Sequence, residues 1–461
     1  MSKVRNFAEI TPNIGFSEYD FYDLYRSTFE RSKLGQMKKL LPLHEMAENF
    51  GLVGKSLRPR LGHRPYFTPE GKVALMFLKM YTGLSCPKLL EQLNGNIHYQ
   101  MFCDVAIDPT RPLTNYKLLD DIILELSGKL KIQQQQDILA EMWKPYMKEL
   151  ETMYTDATCY ESEMRYPTDA KLLWEGIEKS YVTMCGLSRR LGLRRPRTKF
   201  IDVQKANLVY RKQRRRTKGQ TRKMTRRLLE LLGKILKEIR RMVRENENAE
   251  SLMTPREKGD MEIITKMYRQ QKNNFRSGNG RESIPDRIVS ISKPYVRPIV
   301  RGKESKNVEF GAKVNNILVD GISFIEKLSF NAFNEGTRLV HCLKMHKRLF
   351  GVDAKKIGGD AGYAGATNRD HCKKNGIQTS FAKRGRPFSE EKKDLVRQEL
   401  ARVRATAMEG SFGTQKEHYD LKRVKARTRL TEILYIFFGV HTANVLQLAD
   451  RIEKRAQPAV A

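Results

Sequence analysis

Paired cysteines, metal-ligand spacings and long apolar runs are all missing from this sequence. The six cysteines (Cys86, Cys103, Cys159, Cys185, Cys342 and Cys372) are scattered, with no CxxC pair. That argues against a disulfide framework or a zinc module and for reduced thiols in a cytosolic protein. The eight histidines show no HExxH or related spacing. The longest apolar run, ILYIFFGV at 433–440, is too short to cross a bilayer. The opening MSKVRNFAEI has no apolar signal core, so neither export nor a membrane span is expected. Acid is scarce as well: 53 Asp and Glu stand against 86 Lys and Arg, a net charge of +33. An excess of that size makes a polyanion the first partner to consider, with an anionic membrane surface second. At 40% hydrophobic residues the chain can build real cores, and 461 residues suggest two or three units.

Residues 1–150 read as an all-helical region. Thr68-Pro69-Glu70 is a helix start, with a capping hydroxyl, Pro in the first turn and an acid at the positive end of the dipole. Val73, Leu75, Met76, Leu78 and Met80 follow as a dense apolar helix that Gly83 stops, and Ser85 opens another over 87–93. Two short helices about a glycine turn read either as a helix-turn-helix or as a plain hairpin for packing or dimer contacts. Near residue 150 the character changes. ETMYTDAT is a strand ending on Asp156, and Pro167-Thr168-Asp169 opens a helix with Asp169 as its expected cap.

Residues 189–244 hold 22 Lys and Arg against three acids. Leu228, Leu229, Leu232, Ile235, Leu236, Ile239 and Val243 recur there at helical spacing, which predicts an amphipathic helix with a packed stripe and a basic outer face. A face of that density meets phosphates, so Arg211, Arg214, Arg215, Arg216, Arg226 and Arg227 are candidate DNA contacts. From 287 the pattern turns to strands. RIVSI is one, and 308–319 and 322–330 flank Asp320-Gly321, a strong hairpin signal. A helix over 335–350 leads to KIGGDAGY (356–363), a short strand ending on Asp360 among glycines that allow close approach to its carboxylate. A helix, a short strand at 377–381 and a basic loop at 383–387 come next. A long helix from 389 is expected to break near Ser411-Phe412-Gly413, and an apolar helix spans 430–449.

The order of strand with Asp, hairpin, helix, strand with Asp, helix, strand and long helix with Glu409 resembles the ribonuclease-H-like fold. YTDAT with YPTD, RPIVRGK with EFGAK, GGDAGY, and EGSFGTQK with Arg423 are similar to the DDE transposases of bacterial insertion sequences. The helical LMFLKMYTGLSCPKLLEQL and YQMFCDV resemble the N-terminal domain common in that group. The resemblance runs from about residue 60 to 450. It implies an α/β, ribonuclease-H-like mixed sheet flanked by helices, carried by 151–450, after an all-α domain at 1–150. A basic helical insertion at 175–286 lies between the first strand and the hairpin, and 451–461 form a tail.

The resemblance makes Asp156, Asp360 and Glu409 the catalytic and metal-holding acids, with Glu409 and Lys416 keeping a Glu-x6-Lys spacing. Lys416, Arg423, Arg297, Arg301 and Lys303 would follow the DNA backbone. A related signature has Arg four positions before the Glu; here that position is Ala405, with Arg404 one earlier and no matching Tyr, so no role passes to Arg404. Three carboxylates suit two Mg²⁺ (or Mn²⁺) ions, about 3.5–4 Å apart in two-metal sites, that serve an in-line phosphoryl displacement. The implied activity is metal-dependent cleavage at element ends and strand transfer into target DNA. The partner is double-stranded DNA (terminal repeats and target), gripped by a homodimer in a bacterial cytoplasm, at the nucleoid, with no membrane role. The alternatives are a non-catalytic nucleic-acid binder and a metal-dependent nuclease that cuts without joining.

Overall fold

A computed structural model describes residues 18–53, 66–277, 284–300, 308–382 and 394–456. Arg301, Lys303 and the basic loop at 383–387 lie outside them.

Seven strands form one sheet: β1 (Thr152–Ser162), β2 (Pro298–Val300), β3 (Val308–Val319), β4 (Ile322–Ser329), β5 (Lys356–Gly358), β6 (Gln378–Thr379) and β7 (Arg423–Val424). The main path runs β2-β3-β1-β5-β6, with β4 also on β3 and β7 also on β1. Pairings β3/β4 and β1/β3 are antiparallel, whereas β1/β5 and β5/β6 are parallel. Three antiparallel strands joined to two parallel ones about a central β1 is the ribonuclease-H-like arrangement, flanked here by helices. The β3–β4 turn is as expected: Asp320 and Gly321 take φ of 45° and 77°. The Asp320 carboxylate accepts from the Lys148 backbone N–H at 3.0 Å and from Arg451 at 3.2 Å, so it braces the turn.

The outer edge of β4 is covered by amides. Gln136 bonds both backbone groups of Ile325, and Asn444 bonds both of Ser323. This satisfies an edge that would otherwise offer itself to another strand, and it accounts for the Gln-rich helix Ile132–Trp143. One continuous core joins the N-terminal helices to the sheet and to the Arg429–Ala456 helix. Phe77 meets Phe438 edge-on at 4.9 Å, and Trp143 lies 6.2 Å from Phe324. That last helix alone among the described residues is long and apolar enough for a membrane, yet 83% of its apolar window is buried within the protein.

Residues 172–291 form a second core of their own. Its centre is Lys218–Glu245, opened by a capping box of Thr217 with Gln220. Leu228, Leu232, Ile235 and Ile239 face inward, and Arg226, Arg227 and Arg240 face out.

Three local expectations are corrected. RIVSI is not a strand: Ile288 and Ile291 pack into the second core and Val289 into the main one, so the segment stitches two cores instead of pairing. Leu395–His418 runs unbroken through Ser411-Phe412-Gly413, because Phe412 is buried and Ser411 bonds Ser323 and Gln415. Thr168, not Asp169, caps Asp169–Arg190; the Asp169 carboxylate instead takes Gln271 and Arg287 at 3.0 and 2.9 Å.

Candidate functional site

Asp156 sits where the sheet opens. On one side of β1, β5 pairs only with residues 152–154 and β7 only with 161–162. The parallel register matches Tyr154 with Gly358. Two residues on, the chain reaches Asp156 and, just past β5, Asp360; Asp156 lies within β1 and does not end it as expected, because the pairing with β3 runs on to Glu161.

The approach to Asp360 is tightly held. Ser380 accepts from the Gly359 N–H at 2.9 Å and donates to its carbonyl at 2.6 Å. A Cβ at Gly358 would fall 2.3 Å from the Tyr154 ring, so glycine is required for β1 and β5 to lie together there. Asp360 accepts from the Gly362 N–H at 2.8 Å and caps the short turn Ala361–Tyr363. Tyr363 is fully buried, with its hydroxyl donating to Asn315, so the loop is anchored from beneath to β3.

The Leu395–His418 helix crosses the face of β1 that carries Asp156, Thr158 and Tyr160. Arg404 Nη2 lies 2.6 Å from Asp156 Oδ2. Lys416 Nζ donates to Thr158 Oγ1 at 2.8 Å, and Tyr160 bonds Gln415. Burial pushes the Asp156 carboxyl above its ordinary pKa, and the Asp360 charge adds to this. The Arg404 guanidinium and the Ala157 N–H oppose both.

The structure brings two of the three predicted acids together. Glu409 stands exposed on its helix, and among the described residues no three His, Cys, Asp or Glu side chains gather into a group that could hold a metal. Glu409 nevertheless shares a helix face with Lys416, seven residues on and ~20° apart in an ideal helix. Arg423 is exposed on β7, 4.0 Å from Glu163. Arg297 is directed inward, donating to the carbonyls of Pro294 and Val296 at 2.5 and 3.0 Å. On the insertion, Arg211, Arg214, Arg215, Arg226 and Arg227 are exposed. Arg216 is exposed too, but it stacks on Tyr210 at 4.7 Å and bonds two backbone carbonyls.

Arg404 was not legible from motif spacing. Its signal is the helix face: positions 404, 408, 411 and 415 recur at three to four residues and face the sheet.

The sheet order and the paired acids at its opening place the chain in the ribonuclease-H-like class. The family model for the transposase DDE domain matches residues 358–441, and one for a transposase domain matches residues 23–119. No curated protein and no solved structure matches the chain. The two matches fall on the Asp360 half of the sheet and on the N-terminal helices, and together they support a DDE transposase of an insertion-sequence family.

Proposed function

We propose that this transposase cuts DNA at the ends of its element and joins them to target DNA by metal-dependent phosphoryl transfer. Asp156 and Asp360 hold divalent ions (two Mg²⁺ or Mn²⁺), and Glu409 completes the set. The observation that carries this is the pair of adjacent carboxylates with a guanidinium already occupying a cation's place on one of them. Carboxylate oxygens are the donors hard divalent ions prefer, and one or two of them suffice for Mg²⁺. Bound there, the ions would activate the attacking oxygen, of water and then of a DNA 3′-hydroxyl, and stabilise the leaving one.

The chain's own residues supply the rest. Lys416 and Arg423 lie along β1 and its neighbour β7, where they can meet phosphates as the duplex crosses the site. The outer face of the insertion grips the flanking backbone through Arg211, Arg214, Arg215, Arg226 and Arg227. Arg301 and Lys303 remain candidates beside them, whereas Arg297 supports its own loop. Two element ends brought together call for a homodimer, acting in the cytoplasm on nucleoid DNA.

The test is cleavage of end-labelled duplex with Mg²⁺ by Asp156→Asn, Asp360→Asn and Glu409→Gln. Each is expected to fall to background with DNA binding retained; normal cutting by any of them removes that residue from the site. The exposed position of Glu409 gives the non-catalytic binder a specific footing, and wild-type protein that binds DNA but never cuts would establish it. A strand-transfer readout in the same reaction separates a transposase from a simple nuclease.

A further inference from the structure

We infer that Arg404 is a resident counter-cation that occupies Asp156 in the metal-free protein and must release it for metal to bind, so that metal and DNA load cooperatively. The inference rests on the reading of Asp156 and Asp360 as metal ligands.

The geometry is that of a placeholder. The Arg404–Asp156 pair lies where the Leu395–His418 helix crosses β1, with the side chains only 22% and 18% exposed. Arg404 Cβ lies 3.1 Å from where a Cβ on Gly358 would stand, so the arginine stem covers the last residue of β5. The second Asp156 oxygen is engaged as well, by the Ala157 N–H at 2.8 Å. A divalent ion approaching Asp156 must therefore compete with a cation already in contact. Arg404 is itself under-satisfied: its Nε is buried with no hydrogen-bond partner. A guanidinium offers five donors in a fork that matches a phosphate, and it cannot shed its charge. A DNA phosphate arriving over β1 gives that fork a better-matched acceptor and frees the carboxylate. Without DNA, the same contact neutralises one of two adjacent acids that would otherwise repel.

Coupling between two ligands is reciprocal, and it usually amounts to roughly 5- to 150-fold. DNA should thus tighten Mn²⁺ binding in the wild type by a factor in that range, and Mn²⁺ should tighten DNA binding by the same factor. Arg404→Gln should bind Mn²⁺ more tightly than wild type without DNA, with the coupling factor falling toward one. Arg404→Lys keeps the charge without the fork and should lie between them. Arg402→Gln, which removes an exposed partner of Glu399, should behave as wild type.

The experiment is Mn²⁺ titration followed by electron paramagnetic resonance, with and without a generic-sequence duplex, on all four proteins and on Asp360→Asn. Wild-type Mn²⁺ affinity equal to that of folded Arg404→Gln and Arg404→Lys, with unchanged coupling, overturns the inference. Mn²⁺ binding that Asp360→Asn leaves intact, or that is absent from every protein even with DNA, overturns instead the metal site beneath it.

Discussion

Lys293→Met tests how the basic helical insertion is fastened to the sheet. Glu432 lies in the first turn of the C-terminal helix and is fully buried. It takes Lys293 at 3.1 Å, the Tyr295 hydroxyl at 2.8 Å and the Ser162 hydroxyl. Lys293 and Tyr295 belong to the segment returning from the insertion, and Ser162 ends β1, so one carboxylate ties three elements. Burial, with the Glu432 charge beside it, pushes the Tyr295 hydroxyl's pKa up, so that it keeps its proton and donates. Methionine keeps the stem and deletes the ammonium. The carboxylate would then be buried with two neutral donors and no counter-charge, a change that costs about 3–5 kcal/mol. Glu432→Gln on top removes the stranded charge and should recover a large part of that loss, a coupling of about 2–3 kcal/mol. Urea unfolding of wild type, both single variants and the double variant, followed by circular dichroism, gives the cycle. With the side chains 6% and 0% exposed, the coupling should persist in roughly 1 M salt, which screens exposed pairs. A loss under about 1 kcal/mol for Lys293→Met, or a coupling near zero, refutes the reasoning.

Burial lowers His441 to about 3, against 6.5 for an ordinary imidazole. Between those values the unfolded chain holds the extra proton, so stability is level above that range and falls as pH drops through it. Near pH 5 the loss is about 2 kcal/mol; urea midpoints for wild type and His441→Leu should diverge in slope there, and parallel slopes would count against it. Neutralising both Arg226 and Arg227 to Gln should weaken DNA binding and reduce the slope of log K against log salt by about 1.8, because each lost phosphate contact removes about 0.9. An unchanged slope would take these residues off the DNA. Gly358→Ala places a Cβ against the Tyr154 ring; overpacking of this kind costs about 1–3 kcal/mol, so an unaltered melting temperature would show that β1 and β5 have slack.

The sheet was legible because its signals are local. Asp320-Gly321 fixed a hairpin, the Asp360 strand was a short apolar run beside glycines, and ETMYTDAT carried the alternation of a strand around Asp156. What escaped depends on distant partners. RIVSI has strand composition, but its apolar residues are claimed by two different cores. Ser411 and Gly413 signal a break, yet Ser323 and the packing of Phe412 hold the helix through them. The joining of the N-terminal helices with the sheet in one core rests on contacts such as Trp143 with Phe324, far apart in sequence. At the site, adjacency of Asp156 and Asp360 follows from parallel register and could be anticipated. The Arg404 contact could not, since its position differs by one from the signature, and only the helix face against β1 gives it a partner.

The account stands on three acids meeting at one metal site when DNA is bound. Fe²⁺ in place of Mg²⁺, with peroxide and ascorbate, cuts the polypeptide where the ion sits. With duplex present, fragments ending near residues 156, 360 and 409 are predicted together, and Asp360→Asn should abolish all three. Cutting near 156 and 360 that never includes 409, or cutting that ignores Asp360→Asn, would contradict a three-acid centre.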